Sequence, residues 1–191
     1  MAKRIITISR EFGSGGRFIG EEVAKKLGIA YYDKEMIGQI AEQAGLSSAY
    51  VRENAELSPK KGWFAYAFSG RDITGKSVED MVYEAQRKVI MEIAEKENCV
   101  IVGRNADFIL KDRKDVLNVF IHGSIPEKVR RICSLYNVTE VDAIKMINDI
   151  DKRRRTNYNF YTEQKWGMAE NYTMSLNSSV LRSEERRVGK E

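Results

Sequence analysis

The chain has 191 residues and a formal net charge of +4, with 42% hydrophobic and 31% charged residues. That composition supports one buried core of ordinary size, and no run approaches the eighteen or so apolar residues of a membrane span. A single histidine, His122, argues against histidine-built metal centres and Ser-His-Asp triads.

Cys99 and Cys133, the only cysteines, lie in apolar segments and read as reduced core thiols. The N-terminus enters a strand directly, with no apolar leader, so the cytoplasm is the expected location. A pI near 9.0 suits anionic partners without separating nucleotides from nucleic acid. No nucleic-acid-binding motif stands out.

In chain order, residues 5–8 form a β-branched apolar run, the pattern of a buried strand. Gly13, Ser14, Gly15, Gly16 and Arg17 follow, and then a helical pattern with Ile19, Val23, Ala24 and Leu27 on one face, closed by Gly28. Strand, glycine loop and helix together make a phosphate site: glycines admit an anion close to the backbone, and the helix start aims N–H groups and a positive dipole at it. Laid on G-x-x-x-x-G-K-[ST], the loop has Glu11 at the first glycine, Arg17 at the lysine and Phe18 at the metal-binding hydroxyl. Arginine holds phosphate as a planar fork, and phenylalanine ligates no metal. The simple alternative is a strand–helix turn.

A short strand over 29–32 ends at Asp33, a helix cap or a substrate contact. Helices are predicted over 34–44 and 47–56, then a loop over 57–76 that mixes Pro59, three glycines and four aromatics, a composition suited to a mobile segment. A long amphipathic helix over 77–98 and a strand over 99–102 lead to Gly103 and Arg104, the latter a phosphate ligand or a surface residue. A strand over 116–121 precedes a helix opened by Pro126. A further helix runs from about 139 to the basic run Lys152-Arg153-Arg154-Arg155, and a fifth strand covers 172–176. The basic run reads as a lid or as a solvated helix end, partly paired with Asp151. Near it, Tyr158, Tyr161 and Trp166 offer stacking on a base or ordinary packing, and His122 reads as a structural residue. Alternating strands and helices imply a parallel sheet covered on both faces, with ligands at the carboxyl ends of the strands. The tail, 182–191, has no apolar stripe and reads as a non-native extension in place of a closing helix.

Taken together, Ser9 to Arg17, Tyr32-Asp33, Val102-Gly103-Arg104, the basic run after Asp151 and the strand ending Leu176-Asn177-Ser178-Ser179 resemble the cytidylate kinase-like family of P-loop nucleoside monophosphate kinases, in its branch with arginine at the loop lysine. The resemblance implies a three-layer α/β P-loop fold over 1–181: a five-stranded parallel sheet flanked by helices, with a monophosphate-binding segment near 34–76 and a lid near 151–168. It implies phosphoryl transfer from ATP, as its Mg2+ complex, to a nucleoside monophosphate, CMP or dCMP first. Gly13, Ser14, Gly15, Gly16, Arg17, Lys128 and Arg131 would hold the donor, Asp33 and Arg104 the acceptor, and Arg17, Arg153, Arg154 and Arg155 the transferring group. No residue is expected to ligate metal, and no membrane or nucleic-acid partner is expected. Gln39 and Asn105 depart from the family pattern. The alternative function is a nucleotide-binding regulatory module with little turnover.

Overall fold

The computed structural model describes residues 5–43, 45 and 78–180. Described elements run β1 (Ile5–Arg10), α1 (Gly16–Leu27), β2 (Ala30–Tyr32), α2 (Lys34–Gln43), α3 (Val78–Lys96), β3 (Cys99–Val102), α4 (Ala106–Ile109), β4 (Val116–His122), α5 (Ile125–Tyr136), α6 (Glu140–Thr162), a 3-10 turn (Ala169–Asn171) and β5 (Met174–Asn177). The predicted helix over 47–56, the loop over 57–76 and the tail over 182–191 lie outside the described residues.

The strands form a five-stranded parallel sheet in the order β2-β3-β1-β4-β5. The chain leaves β1 toward one side of the sheet and later crosses to the other, so β1 sits at the topological switch point, where open α/β sheets bind ligands. Ile8, Val100, Val102, Val119 and Ile121 share one buried cluster with Ala24 of α1. The opposite face carries Thr7, Ser9, Asn118, Phe120 and His122 along β1 and β4, by the strand alternation.

The described residues fall into two compact units. One is built on residues up to Tyr31 and from Glu97 onward, the other on Tyr32–Lys96. In the second unit α2 packs on α3, and Ile37, Ala41, Val89 and Ile90 are buried.

Besides the short α4, which was not expected, two elements depart from the expectation. The last long helix does not stop at the basic run but continues to Thr162, because its buried stripe continues: Ala143, Ile147, Asp151, Tyr158 and Thr162 all lie on the inner side. Three of those five, Asp151, Tyr158 and Thr162, carry polar groups that are buried through partners, so hydrophobic periodicity does not reveal the stripe. The fifth strand begins at Met174, since Tyr172 is instead packed against Phe120 with ring centroids 5.0 Å apart.

Gly20 in α1 packs directly against the sheet. A Cβ there would stand 2.9 Å from Val102 Cγ2 and 3.1 Å from Ile8 Cδ1. Alanine in a helix normally gains about 1 kcal/mol over glycine. Here we expect the opposite sign: Gly20→Ala lowers the unfolding free energy by about 1–2 kcal/mol through overpacking. A urea titration checks this, and a raised midpoint would show that the two strands yield.

Candidate active site

The loop between β1 and α1 takes its shape from two glycines. Gly13 and Gly15 both have φ +78°, a conformation that costs a residue with a side chain roughly 1 kcal/mol or more. They also leave room for α5. A Cβ at Gly13 would stand 3.1 Å from Lys128 Cβ and 3.2 Å from Ile132 Cγ1, and one at Gly15 would stand 3.0 Å from the Arg131 guanidinium. Ser14 is buried and donates its hydroxyl to the Glu11 carbonyl at 2.9 Å. The first N–H groups of α1 have no carbonyl within their helix, and they open at the carboxyl end of β1.

Beneath the loop lies a charge network. Glu11 Oε2 accepts from the Gly123 N–H at 3.2 Å and from Lys128 Nζ at 2.9 Å. Lys128 is only 3% exposed, and its ammonium is also 3.7 Å from Asp151 Oδ2. Asp151 Oδ1 accepts from the Phe12 N–H at 2.7 Å. Arg154 Nη1 donates to the Arg10 carbonyl at 2.9 Å and lies 3.5 Å from Asp151 Oδ1. One turn of α6 thus grips the backbone on both sides of Glu11. Burial raises the Asp151 pKa above its ordinary value, against the opposing pull of the Phe12 N–H, Arg154 and Lys128. Burial lowers that of Arg154; Asp151 opposes this, and the nearby charge of Arg104 adds to it.

The residues singled out from sequence separate into groups. Gly13, Ser14, Gly15, Gly16, Lys128, Arg131 and Arg154 come together around the loop, with Arg131 Nη1 donating to the Gly13 carbonyl at 2.7 Å. Lys128 and Arg154 are engaged with Glu11, Asp151 and the loop backbone. Arg17 is exposed on the first turn of α1. Arg104 is half-buried at the end of β3, and both it and Asn105 have left-handed backbones, with φ 58° and 54°. Such strain concentrates at functional sites. Arg153 and Arg155 point elsewhere. The Arg153 Nε donates to the Asp149 carbonyl at 3.3 Å, and the Arg155 guanidinium lies 5.9 Å from the Trp166 ring centre. Asp33 belongs to the second unit, where its carboxylate caps α2 by accepting from the Glu35 and Met36 N–H groups at 3.0 and 3.2 Å.

Three residues escaped the reading of the sequence. Arg10 threads between two glycines: a Cβ at Gly16 would stand 2.6 Å from Arg10 Cβ, and one at Gly103 would collide with the Arg10 guanidinium. An arginine closing an otherwise apolar strand was the available signal. Asp151 was visible only as a local partner for the basic run. Asp107 is buried, accepting from the Ser9 hydroxyl at 3.1 Å and the Tyr158 hydroxyl at 2.8 Å. It ties β1, α4 and α6 together on the face opposite α1.

The cytidylate kinase-like family matches residues 5–180. No curated protein matches the chain. A crystal structure of an uncharacterised protein from Eubacterium ventriosum is similar at 28% identity, with a TM-score of 0.74 over 98% of this chain and 95% of that one. Shikimate kinase from Bacteroides thetaiotaomicron, at 17% identity and TM-score 0.55, covers 98% of this chain and 94% of its own. A gluconokinase from Sinorhizobium meliloti, at 14% and 0.53, covers 97% and 87%. These last two share the fold.

Two predictions follow from the buried carboxylates. Asp151→Ala leaves Lys128 with Glu11 as its one carboxylate partner, removes the acceptor of the Phe12 N–H and takes the ion pair from Arg154, and it should cost about 3 kcal/mol or more in a urea titration; a loss under about 1 kcal/mol would show that water and Glu11 satisfy these groups. Burial raises the Asp107 pKa above 3.8. Between the unfolded and folded values the folded state holds more protons, so stability falls as pH rises through that window. Asp107→Asn should flatten this fall in urea titrations made from pH 3.8 up to neutrality, and an unchanged slope would contradict the assignment.

Proposed function

Because the chain belongs to the cytidylate kinase-like family, we propose that it is an ATP-dependent phosphotransferase acting on a nucleoside monophosphate, with CMP or dCMP the first candidates. The observation that carries this reading is the convergence of cations on one glycine loop at the switch point: Arg131 over Gly15, Arg154 under Arg10, and Arg104 close enough to act on Arg154. Phosphoryl transfer asks the protein for alignment and for neutralisation of charge spread over the equatorial oxygens, and little else.

In this reading the loop N–H groups and Arg131 hold the donor's phosphates. Arg104 takes the acceptor's phosphate, and Arg17 reaches the transferring group from the first turn of α1. Arg154 positions the loop through the Arg10 carbonyl. The segment near 34–76, entered through Asp33, takes the monophosphate, and in the segment 151–168 Asp151 and Arg154 hold the donor loop in place. The reaction belongs in the cytoplasm; no helix among the described residues is long and apolar enough to cross a membrane.

The metal enters as part of the substrate. Phe18 stands where a hydroxyl would ligate it, and among the described residues no group of three or more His, Cys, Asp or Glu is placed to hold one. With Phe18 at that place, magnesium would be held by the nucleotide, water and other groups.

Phe18, 41% exposed at the start of α1, also favours a second reading, a nucleotide-binding regulatory module with little turnover. A coupled ADP-release assay with ATP, magnesium and each nucleoside monophosphate separates the two. We expect release with CMP or dCMP, reduced roughly a hundredfold or more by Arg104→Ala and by Arg17→Ala. No acceptor-dependent release, together with calorimetric ATP binding, would overturn the kinase reading in favour of the module.

A further inference from the structure

We propose that a cavity on the sheet face opposite α1, between β4, β5 and the end of α6, is a second ligand site that takes an uncharged heteroaromatic ring with an N–H donor on its edge, as in an unphosphorylated nucleoside. The cavity measures about 310 Å3, and its walls include Glu11, Phe120, His122, Arg155, Trp166 and Ser175. That is the small end of the range for ligand pockets, room for one ring system and its substituent.

Its floor is aromatic. Phe120 and Trp166 meet edge to face with centroids 5.4 Å apart, and His122 stacks on Phe120. Gly167 lets the Trp166 turn lie on that floor, since a Cβ there would stand 3.2 Å from Phe120 Cζ. Phe120 is buried beneath these contacts, and the Arg155 guanidinium faces the half-buried Trp166 ring, so the cavity offers the Trp166 indole and a cation that itself stacks.

Its polar groups have spare capacity. Both hydrogen bonds to the Glu11 carboxylate end on Oε2, which leaves Oε1 without a partner among the described residues. The His122 ring, the Arg155 guanidinium and the Ser175 hydroxyl likewise make no hydrogen bond among the described residues. Four side chains with unused donors and acceptors around two rings are what a planar ligand with a mixed edge requires. A carboxylate on one side and a guanidinium on another suit a ring that both donates and accepts. The Glu11 charge disfavours a phosphate placed beside it.

Glu11 also joins this cavity to the loop, because the same carboxylate holds Lys128 and Gly123. A ligand drawing on Glu11 would act on the element that shapes the loop, which makes the cavity a site of regulation rather than of transfer. The inference does not rest on phosphoryl transfer, and a nucleoside carries no phosphate for the loop to bind.

The test is a fluorescence titration of the full chain carrying Trp63→Phe, so that Trp166 is the sole reporter. Cytidine, adenosine and 3-methyluridine, which lacks an edge donor, are added with and without excess ADP. We expect saturable change with cytidine or adenosine at a Kd on the order of 100 µM, at least about tenfold weaker binding of 3-methyluridine, and persistence in ADP. Ser175→Val, which fills the cavity from an exposed strand position, and Arg155→Ala should each weaken binding about tenfold or more. No saturable change with any nucleoside, indifference to Ser175→Val in a variant with parental circular dichroism, or displacement by ADP would overturn the proposal. Tighter binding of free phenylalanine would overturn the ligand class. None of these results bears on ADP release with monophosphate acceptors, so the two readings fail separately.

Discussion

A lysine ammonium buried to 3% exposure constrains the site more than any other single group. Taking such a charge out of water costs several kcal/mol unless partners return it. Lys128 receives Glu11 at 2.9 Å and Asp151 at 3.7 Å. These two acids are themselves spoken for: Glu11 holds the Gly123 N–H, and Asp151 holds the Phe12 N–H and Arg154. Satisfying Lys128 therefore fixes β1, its loop, α5 and α6 against one another. The loop departs from the common phosphate-binding sequence at Glu11 and Arg17, and the network gives Glu11 a purpose. It occupies the place of a glycine in order to anchor the loop from below.

The second constraint is space. Gly13 and Gly15 admit α5 to the loop, while Gly16 and Gly103 admit the Arg10 side chain between loop and β3. Four glycines that read as one phosphate loop and one strand end thus divide their work: two permit the loop's left-handed turns and its contact with α5, and two make a channel for an arginine. Cations reach the carboxyl ends of the strands from β1, β3, α5 and α6. The helix dipole of α1 adds to them. A loop without its lysine sits in a cationic setting assembled from elsewhere in the chain.

Much of the fold was legible. β-Branched runs marked the central strands and 3.6-residue periodicity marked α1, α3 and α5, because these bury apolar stripes. The full length of α6 was not legible, since Asp151 lies on its inner face by virtue of a partner distant in sequence, the Phe12 N–H, and Thr162 by donating back to the Tyr158 carbonyl. The four-residue α4 is too short for any period to register. At the site, the glycine loop, Lys128, Arg131 and Arg104 were singled out from pattern and resemblance. Arg10 and Asp107 were not, because their roles depend on which glycine and which hydroxyl the topology places beside them. The basic run read as one unit; a helix turns consecutive residues through about 100° each, so Arg153, Arg154 and Arg155 necessarily face three ways.

The central claim is that the loop from Gly13 to Arg17, held by Glu11, Lys128 and Asp151, is an anion site despite its missing lysine. Amide proton and nitrogen chemical shifts, followed while inorganic pyrophosphate is added, test it most directly. The account predicts that the backbone amides of Gly13, Gly15, Gly16 and Arg17 shift together and saturate with one affinity. Shifts scattered over exposed lysines and arginines without saturation, with the loop amides unmoved, would contradict it.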